Sequence, residues 1–240
     1  MKFAPKSEDT TTSARCGKLA LTHGTLRTPA FAPVATRGSV KGLTTTQIEG
    51  CGTQFLLANT YHLEIHPGSI LVDEQDGLHA FMGWQKPIIT DSGGYQVFSL
   101  AQLREISDRG VEFKNPRDGS TMFLGPREAV EIQNRLGSDV AMVLDECPPY
   151  PCGREEAEKA VERTLLWAEM CLDSHERADQ AMFGIVQGSV YEDLRARCAE
   201  ELLAMEFDGY AIGGVSVGEE EELRHQMVEF TAPMLPEDKP

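Results

Sequence analysis

Six short segments of the chain are nearly all apolar, and amphipathic stretches follow several of them. Apolar runs that lack the alternation of a half-exposed strand are typical of parallel strands covered on both faces. We expect these strands at residues 30–36, 54–60, 87–93, 140–146, 182–188 and 209–215. Apolar residues recur at spacings of three and four in the later stretches, which predicts helices over residues 125–136, 154–175, 190–205 and 219–234.

Two segments outside this alternation predict antiparallel hairpins. His23-Gly24 lies between two β-rich runs, which indicates an N-terminal hairpin over residues 16–31. The polar segment 111–124 contains the turn signals Asn115-Pro116 and Asp118-Gly119, which indicate a hairpin inserted into one loop. We otherwise expect residues 1–240 to form a single domain.

The alternation of strand and helix predicts an α/β fold with a parallel sheet. The GxGxxG signal of dinucleotide-binding folds is missing from the first strand–helix turn, which disfavours that class. Polar and glycine-rich positions at the strand ends favour a (β/α)8 barrel, the TIM barrel, whose active site forms at those ends. Only six strand–helix units are recognisable, so we expect the remaining two to lie outside this sequence.

Composition and charge narrow the class of protein further. Of 240 residues, 41% are hydrophobic and 25% are charged, which is ordinary for a soluble globular protein. No apolar run reaches the ~18 residues of a membrane span. The polar N-terminus also lacks a signal-peptide core, so we expect a cytoplasmic location without membrane contact.

A formal net charge of −16 predicts repulsion of nucleic acid over most of the surface, so RNA binding would need a local basic patch or a further segment.

Signals for a metal site are weak in this chain. None of the six cysteines forms a CxxC pair, and no cluster has the spacing of zinc ligands. His62 and His66 are four residues apart, but Pro67-Gly68 follows at once and no third ligand has a matching spacing. We therefore expect a structural role for the two histidines, and neither a metal nor a cofactor in this chain.

The ends of the predicted strands carry the candidate chemistry. Three carboxylates, two amides and a glycine pair lie at the ends of successive strands, and such a convergence is typical of a binding or catalytic site. The alternative is that these residues only cap helices. The residues are Asn59, Asp91, Asp145 with Glu146, Gln187, and Gly213-Gly214.

The clearest local motif is the run from Thr90 to Gln96. Ser92, Gly93 and Gly94 predict a tight turn whose backbone N–H groups face a ligand, because glycines admit close approach. Asp91 lies at the mouth of this turn and could act as a nucleophile or as a general base. Tyr95 offers a ring for stacking on a planar base. The motif therefore predicts a site for a sugar or a nucleobase.

The same run resembles the signature of the tRNA-guanine transglycosylase family, also called queuine tRNA-ribosyltransferases. Four further segments match that family in the same order, and together they cover nearly the whole chain. Five ordered motifs are much more specific than any one of them. They are Asp91-Ser92-Gly93-Gly94-Tyr95-Gln96, Asn59-Thr60-Tyr61-His62-Leu63, Asp145-Glu146-Cys147, Val186-Gln187-Gly188, and the segment 211–219 from Ala211 to Glu219.

The resemblance implies a (β/α)8 barrel that exchanges guanine at the wobble position of certain tRNAs for a 7-deazaguanine, through a covalent enzyme–RNA intermediate. Asp91 would be the general acid/base, and Asp145 would accept hydrogen bonds from the N–H groups of the pyrimidine edge. Gln187 and the Gly214 N–H would donate to the base carbonyl, and Tyr95 would stack on the ring. These roles agree with guanine chemistry, because its edge offers adjacent donors and one carbonyl acceptor.

Further residues follow from the same resemblance. Ser92, Gly93, Gly94 and Val215 would complete the substrate contacts, and Asn59 and Glu219 would support them. Cys147 and Val217 resemble the bacterial branch, which uses 7-aminomethyl-7-deazaguanine rather than queuine. The implied partners are a tRNA with guanine at the wobble position, the free base, and a second copy of the chain in a homodimer.

The family pattern also has parts that we expect outside residues 1–240. These are the nucleophilic aspartate, a basic RNA-binding segment and a structural zinc site. From the residues alone, however, Asp91 could itself be the nucleophile, because an aspartate at a strand end beside a glycine turn suits either role. Two other hypotheses remain. The first is a noncatalytic subunit that binds the base or tRNA, or an inactive fragment of the enzyme, and the second is a glycoside hydrolase with Asp91 and Asp145 as its carboxylate pair.

Overall fold

Strands and helices alternate along most of the chain. The computed structural model describes residues 1–12, 14–100 and 104–240. Twelve strands lie in this described part: β1 (Lys2–Glu8), β2 (Arg15–Leu21), β3 (Gly24–Thr28), β4 (Val34–Ala35), β5 (Leu56–Ala58), β6 (Ile88–Thr90), β7 (Arg104–Ser107), β8 (Gly110–Lys114), β9 (Thr121–Leu124), β10 (Val140–Met142), β11 (Ala181–Val186) and β12 (Gly209–Ile212).

Helices connect the strands. Over the described residues they are α1 (Thr45–Gly50), α2 (Thr60–Ile65), α3 (Ser69–Asp73), α4 (Gly77–Met82), α5 (Gly94–Leu100), α6 (Pro126–Leu136), α7 (Arg154–Ser174), α8 (Glu192–Ala204), α9 (Glu221–Thr231) and a 3-10 turn at Ala232–Met234. The four long helices lie within the ranges that periodicity predicts. The first five helices are five to seven residues long, which is too short to show a helical period.

The central sheet is parallel, with strand order β12-β11-β10-β6-β5-β4. The six predicted strands are therefore present in sequence order, and the α/β class with a parallel sheet is confirmed. Each strand is shorter than the range predicted for it, and β4 covers only Val34–Ala35. The sheet is open, since no described strand joins β4 to β12. A closed barrel is not found.

Antiparallel sheets flank the central one. Strands β2 and β3 pair around His23, with Leu21 opposite Gly24, and β1 adds to the other side of β2. Strand β1 escapes sequence analysis because all but one of its side chains are exposed, so no apolar alternation marks it. Strands β7, β8 and β9 form a three-stranded sheet between α5 and α6, which includes the predicted segment 111–124.

Asp139 ties the first hairpin to the amino end of the central sheet. Its side chain is buried, and its Oδ1 accepts from the backbone N–H of His23 at 2.7 Å and from the ring of the same residue at 3.1 Å. Its Oδ2 accepts from the His79 ring at 3.1 Å and from the Ile88 N–H at 2.9 Å. One carboxylate thus joins the hairpin, helix α4 and strand β6.

Helices and apolar loops cover the outer face of the sheet. Helix α6 begins at Pro126 after Gly125, whose N–H donates to the Glu128 carboxylate, and it buries Ala129, Val130 and Leu136 against α7 and the sheet. No described helix is both long enough and apolar enough to cross a bilayer. The carboxyl ends of the strands stay uncovered by these helices and carry the site described next.

Candidate functional site

A cavity of about 500 Å³ lies at the carboxyl ends of the central strands. Its volume is in the range of small-molecule sites. Ten of the site residues expected from the sequence line it: Asp91, Ser92, Gly93, Tyr95, Asp145, Cys147, Gln187, Gly214, Val215 and Val217. The other three, Asn59, Gly94 and Glu219, lie directly behind lining residues and contact them.

Asp91 is fixed by three neighbouring hydrogen-bond donors. The N–H groups of Thr60 and Gly93 donate to its Oδ1 at 3.0 and 3.2 Å, and the Asn59 amide donates to its Oδ2. Asn59 is held in turn as the N-cap of α2, where its Oδ1 accepts from the His62 N–H. The start of α2 therefore holds the Asp91 carboxylate.

Burial raises the pKa of Asp91 to about 7. The hydrogen bonds from Thr60, Gly93 and Asn59 oppose this rise because they stabilise the carboxylate, whereas the nearby charge of Asp145 adds to it. A carboxyl group with a pKa near neutrality can both accept and release a proton at physiological pH. This property distinguishes Asp91 from an ordinary surface aspartate.

Asp145 forms the floor of the pocket. Gln187 Nε2 donates to its Oδ2 at 2.6 Å, and Ser92 Oγ donates to its Oδ1 at 3.4 Å. Burial raises the pKa of Asp145 to about 6, and these two hydrogen bonds oppose the rise. The Gln187 Oε1 is buried without a hydrogen-bond partner among the described residues. Gln187 and Ser92 therefore hold the Asp145 carboxylate in place at the floor of the pocket.

We expect Asp145→Asn to gain stability relative to wild type as the pH rises from 4 to 7. The folded protein holds the Asp145 proton up to about pH 6, whereas the unfolded chain releases it near 3.8. In this window the wild type loses free energy of unfolding, up to about 3 kcal/mol, and the neutral variant does not. Urea denaturation of both proteins at pH 4, 5, 6 and 7 measures the difference, and a constant difference would contradict the pKa of Asp145.

The glycines of the tight turn act differently from the sequence expectation. A Cβ at Gly93 would lie 2.9 Å from the Tyr61 backbone nitrogen, and Gly93 has a φ of 81°. A Cβ at Gly94 would lie 2.8 Å from the Asp145 carbonyl oxygen. The two glycines therefore allow protein segments to pack closely beneath the pocket. Tyr95, 48% exposed, stands at the rim.

The segment after β12 forms the opposite wall. Gly214 has a φ of 62°, and a Cβ there would lie 2.7 Å from Gln187 Oε1, so this position requires glycine. The Gly214 N–H faces the Cys147 sulfur. Burial raises the pKa of Cys147 to about 12, so the thiol stays protonated. The Glu219 carboxylate accepts from the Ser216 and Val217 N–H groups and fixes this wall.

Glu146 does not belong to the pocket, although the sequence places it at a strand end. Its carboxylate pairs with the Arg163 guanidinium on α7, and its N–H donates to Thr164 Oγ1 at 3.0 Å. The Glu146 side chain is therefore held toward α7, whereas Asp145 lines the cavity.

Sequence analysis missed Arg195, which lies directly behind the Gly213-Gly214 wall. Its side chain is fully buried, and its Nη2 donates to both glycine carbonyls. The helical spacing of residues in α8 could have identified Arg195. Arg195 shares the apolar face of α8 with Leu194, Cys198 and Leu202, where a charged residue is unusual.

One group in the described residues has the side chains of a metal site: His23, His79 and Asp139. The two imidazole rings are stacked, with centroids 3.5 Å apart and planes inclined by 18°. A metal binds in the plane of each imidazole at about 2.1 Å, and rings stacked in this way cannot both direct a nitrogen at one ion. Both Asp139 oxygens also already accept two hydrogen bonds each. The geometry is that of a hydrogen-bonded clamp.

Several curated proteins are similar to this chain over nearly its whole length. A family model described as "Queuine tRNA-ribosyltransferase" matches residues 9–240. The chain is 55% identical to the queuine tRNA-ribosyltransferase of Gloeobacter violaceus over 238 residues, which cover 99% of this chain and 63% of the relative. It is 53% identical over 229 residues to that of Halothermothrix orenii, covering 95% and 61%. The chain therefore spans less than two thirds of the length of these curated relatives.

Proposed function

Because the chain belongs to the queuine tRNA-ribosyltransferase family, we propose that it carries the base-recognition site of a tRNA-guanine transglycosylase. Such an enzyme exchanges guanine at the wobble position of a tRNA for a 7-deazaguanine. The observation that carries the proposal is the convergence of Asp91, Asp145, Gln187 and Gly214 on one cavity. We further propose that the open parallel sheet is the larger part of a (β/α)8 barrel, since its strands follow in barrel order.

The pocket is complementary to the hydrogen-bonding edge of guanine. The Asp145 carboxylate is a pure acceptor and suits the adjacent ring and amino N–H groups of the base. The second N–H of the Gln187 amide and the Gly214 N–H are donors and suit the base carbonyl. The exposed Tyr95 ring at the rim can stack on the purine. The ring N–H, the amino group and the carbonyl on this edge of guanine thus each have a partner of the opposite type.

Asp91 supplies the acid/base chemistry in this proposal. Guanine must take up a proton as it leaves the ribose, and the entering base must lose one. A carboxyl group with a pKa of about 7 can give the first proton and accept the second. The donors from Thr60, Gly93 and Asn59 hold the carboxylate in place for both steps.

The entering base is 7-aminomethyl-7-deazaguanine in this proposal. Cys147 and Val217, which line the pocket, carry the resemblance to the bacterial branch. Incorporation of this base into unmodified tRNA, measured against queuine at equal concentration, tests the preference. A clear preference for queuine would contradict it.

We expect Asp145→Asn to weaken guanine binding by about tenfold to hundredfold. The asparagine amide presents N–H groups to the base N–H groups and removes a charge-assisted hydrogen bond. Isothermal titration of the purified chain with guanine and with hypoxanthine, which lacks the amino group, measures the effect. The wild type should prefer guanine, and the variant should lose most of that preference.

The matched control for this titration is Asp193→Asn, which removes an exposed carboxylate paired with Arg154. It should leave both affinities unchanged. A wild-type chain that binds guanine and never exchanges it would favour the second candidate, a noncatalytic base-binding subunit. A folded chain that does not bind guanine would contradict the proposed function.

A further inference from the structure

Arg195 is a buried cation without a matching anion. Its side chain is 0% exposed, and no described carboxylate lies within ion-pair distance of it. Its Nε donates to the Ser189 carbonyl at 2.7 Å, and its Nη2 donates to the Gly213 and Gly214 carbonyls at 3.1 and 3.2 Å. Its Nη1 is buried without a described partner. Burying a charge without a counter-ion lowers the stability of the folded state, so a purely structural role does not account for an arginine at this position.

The backbone around Arg195 is built to admit it. Gly188 has a φ of 138°, and a Cβ there would lie 2.7 Å from the Arg195 nitrogen and 2.8 Å from its Cγ. Ser189 has a φ of 50°, which turns its carbonyl toward the guanidinium. Two unusual backbone positions therefore bring α8 close enough for the guanidinium to reach the wall of the pocket.

The guanidinium contacts the Gly213–Gly214 peptide, whose N–H is the proposed donor to the ligand. The Gly213 carbonyl and the Gly214 N–H belong to one trans peptide, so they point in opposite directions. Arg195 binds the carbonyl side, and the N–H on the other side faces Cys147 in the cavity. A cation on the carbonyl side polarises the peptide and makes its N–H a stronger donor.

We propose that Arg195 is a positioning residue that orients and strengthens the Gly214 N–H as a hydrogen-bond donor to the carbonyl oxygen of the bound purine. The inference rests on the proposed function, which places a base carbonyl at that N–H. It predicts that the site favours a purine with a strong acceptor at this position, and most of all one that develops negative charge there.

The test compares guanine with 6-thioguanine, which keeps every N–H group of guanine but replaces the carbonyl oxygen by sulfur, a weaker acceptor. We expect Arg195→Met to raise the Kd of guanine about tenfold or more and the Kd of 6-thioguanine by no more than about threefold. Arg197→Met is the matched control, since Arg197 lies on the same helix, is exposed and pairs with Glu201. It should leave both Kd values unchanged.

Arg195→Lys keeps the experiment decisive if the methionine variant does not fold. Lysine retains the charge but cannot bridge both glycine carbonyls, so the preference for guanine over 6-thioguanine should fall part of the way. An equal loss of affinity for both bases, or no loss, would overturn the role of Arg195 and leave the proposed function intact. A wild-type chain that binds neither base would overturn the proposed function and this inference with it.

Discussion

Replacing Asp91 by asparagine will lower the rate of guanine exchange by about 10²–10⁴-fold, the usual contribution of a positioned general acid/base. Asparagine has nearly the same shape but cannot carry the proton that the leaving base needs. The carboxylate of Asp91 has a pKa of about 7, so its loss removes a group that titrates at working pH. Because the proposed function assigns the base contacts to Asp145, Gln187 and Gly214, guanine affinity should stay within a few-fold of wild type.

The measurement is incorporation of labelled guanine into unmodified tRNA, with guanine binding measured in parallel. Asp179→Asn is the control, since Asp179 is a largely exposed carboxylate paired with Arg177 at the other end of the sheet. A second readout in the same proteins is the titration of the carboxyl groups, followed by carbon NMR. A carboxyl group that titrates near pH 7 should be present in the wild type and absent from the variant. Exchange by Asp91→Asn at the wild-type rate would contradict the assignment.

The same incorporation assay tests whether Asp91 is the nucleophile. The family resemblance implies a nucleophilic aspartate other than Asp91. Incorporation by the wild-type chain alone would contradict that expectation and make Asp91 the candidate nucleophile. Trapping a covalent tRNA adduct and locating the modified residue would then distinguish a nucleophile from an acid/base. Guanine binding without incorporation would agree with a nucleophile other than Asp91. The carboxyl titration near pH 7 would then test the pKa of Asp91.

Replacing Asp139 by alanine will lower the free energy of unfolding by about 3–5 kcal/mol, the range for breaking a buried polar network. The carboxylate accepts four hydrogen bonds, from the His23 N–H and ring, the His79 ring and the Ile88 N–H. Without it, the N–H of Ile88 and the ring of His79 remain buried and unsatisfied. The amino-terminal hairpin also loses its attachment to the sheet.

Chemical denaturation at pH 7 measures this loss, with Asp179→Ala as the control at the same end of the sheet. Its exposed pair with Arg177 should contribute less than about 1 kcal/mol. The hydrogen bonds also hold the pKa of Asp139 below its usual value, against the effect of burial. Its contribution is therefore present above pH 4 and is lost as the pH falls through the lowered pKa. A loss for Asp139→Ala no larger than that of the control would contradict the clamp.

Local sequence patterns predicted the parts of the fold that depend on local chemistry. Five of the six strands have buried or half-buried side chains on both faces, so continuous apolar runs mark them, and α6 to α9 are long enough to show a period. In β4, Val34 is exposed. Helices α1 to α5 are too short for that, although Thr44 and Gln47 form a capping box that marks the start of α1. Strand β1 is nearly all exposed, so its pairing with β2 leaves no trace in its apolar pattern.

The site residues also divide into those that local patterns predict and those that they do not. Strand-end positions identified Asp91, Asp145 and Gln187 because parallel strands bring their carboxyl ends to one edge of the sheet. The same rule also selected Glu146, which the structure assigns to Arg163 instead. The pattern of residues indicates which positions lie at an edge, but the direction of each side chain depends on where its strand leaves the ladder.

Patterns along the chain therefore predicted the α/β class with a parallel sheet, the family resemblance and the polar residues that meet at one pocket. The folded structure was needed to show that Gly93 and Gly94 serve packing, that Asp139 clamps the hairpin, and that Arg195 lies behind the Gly214 peptide. The reason is physical. Periodicity and turn chemistry arise from neighbours a few residues apart, whereas burial of a charge and its hydrogen-bond partners depend on residues that are distant in the chain.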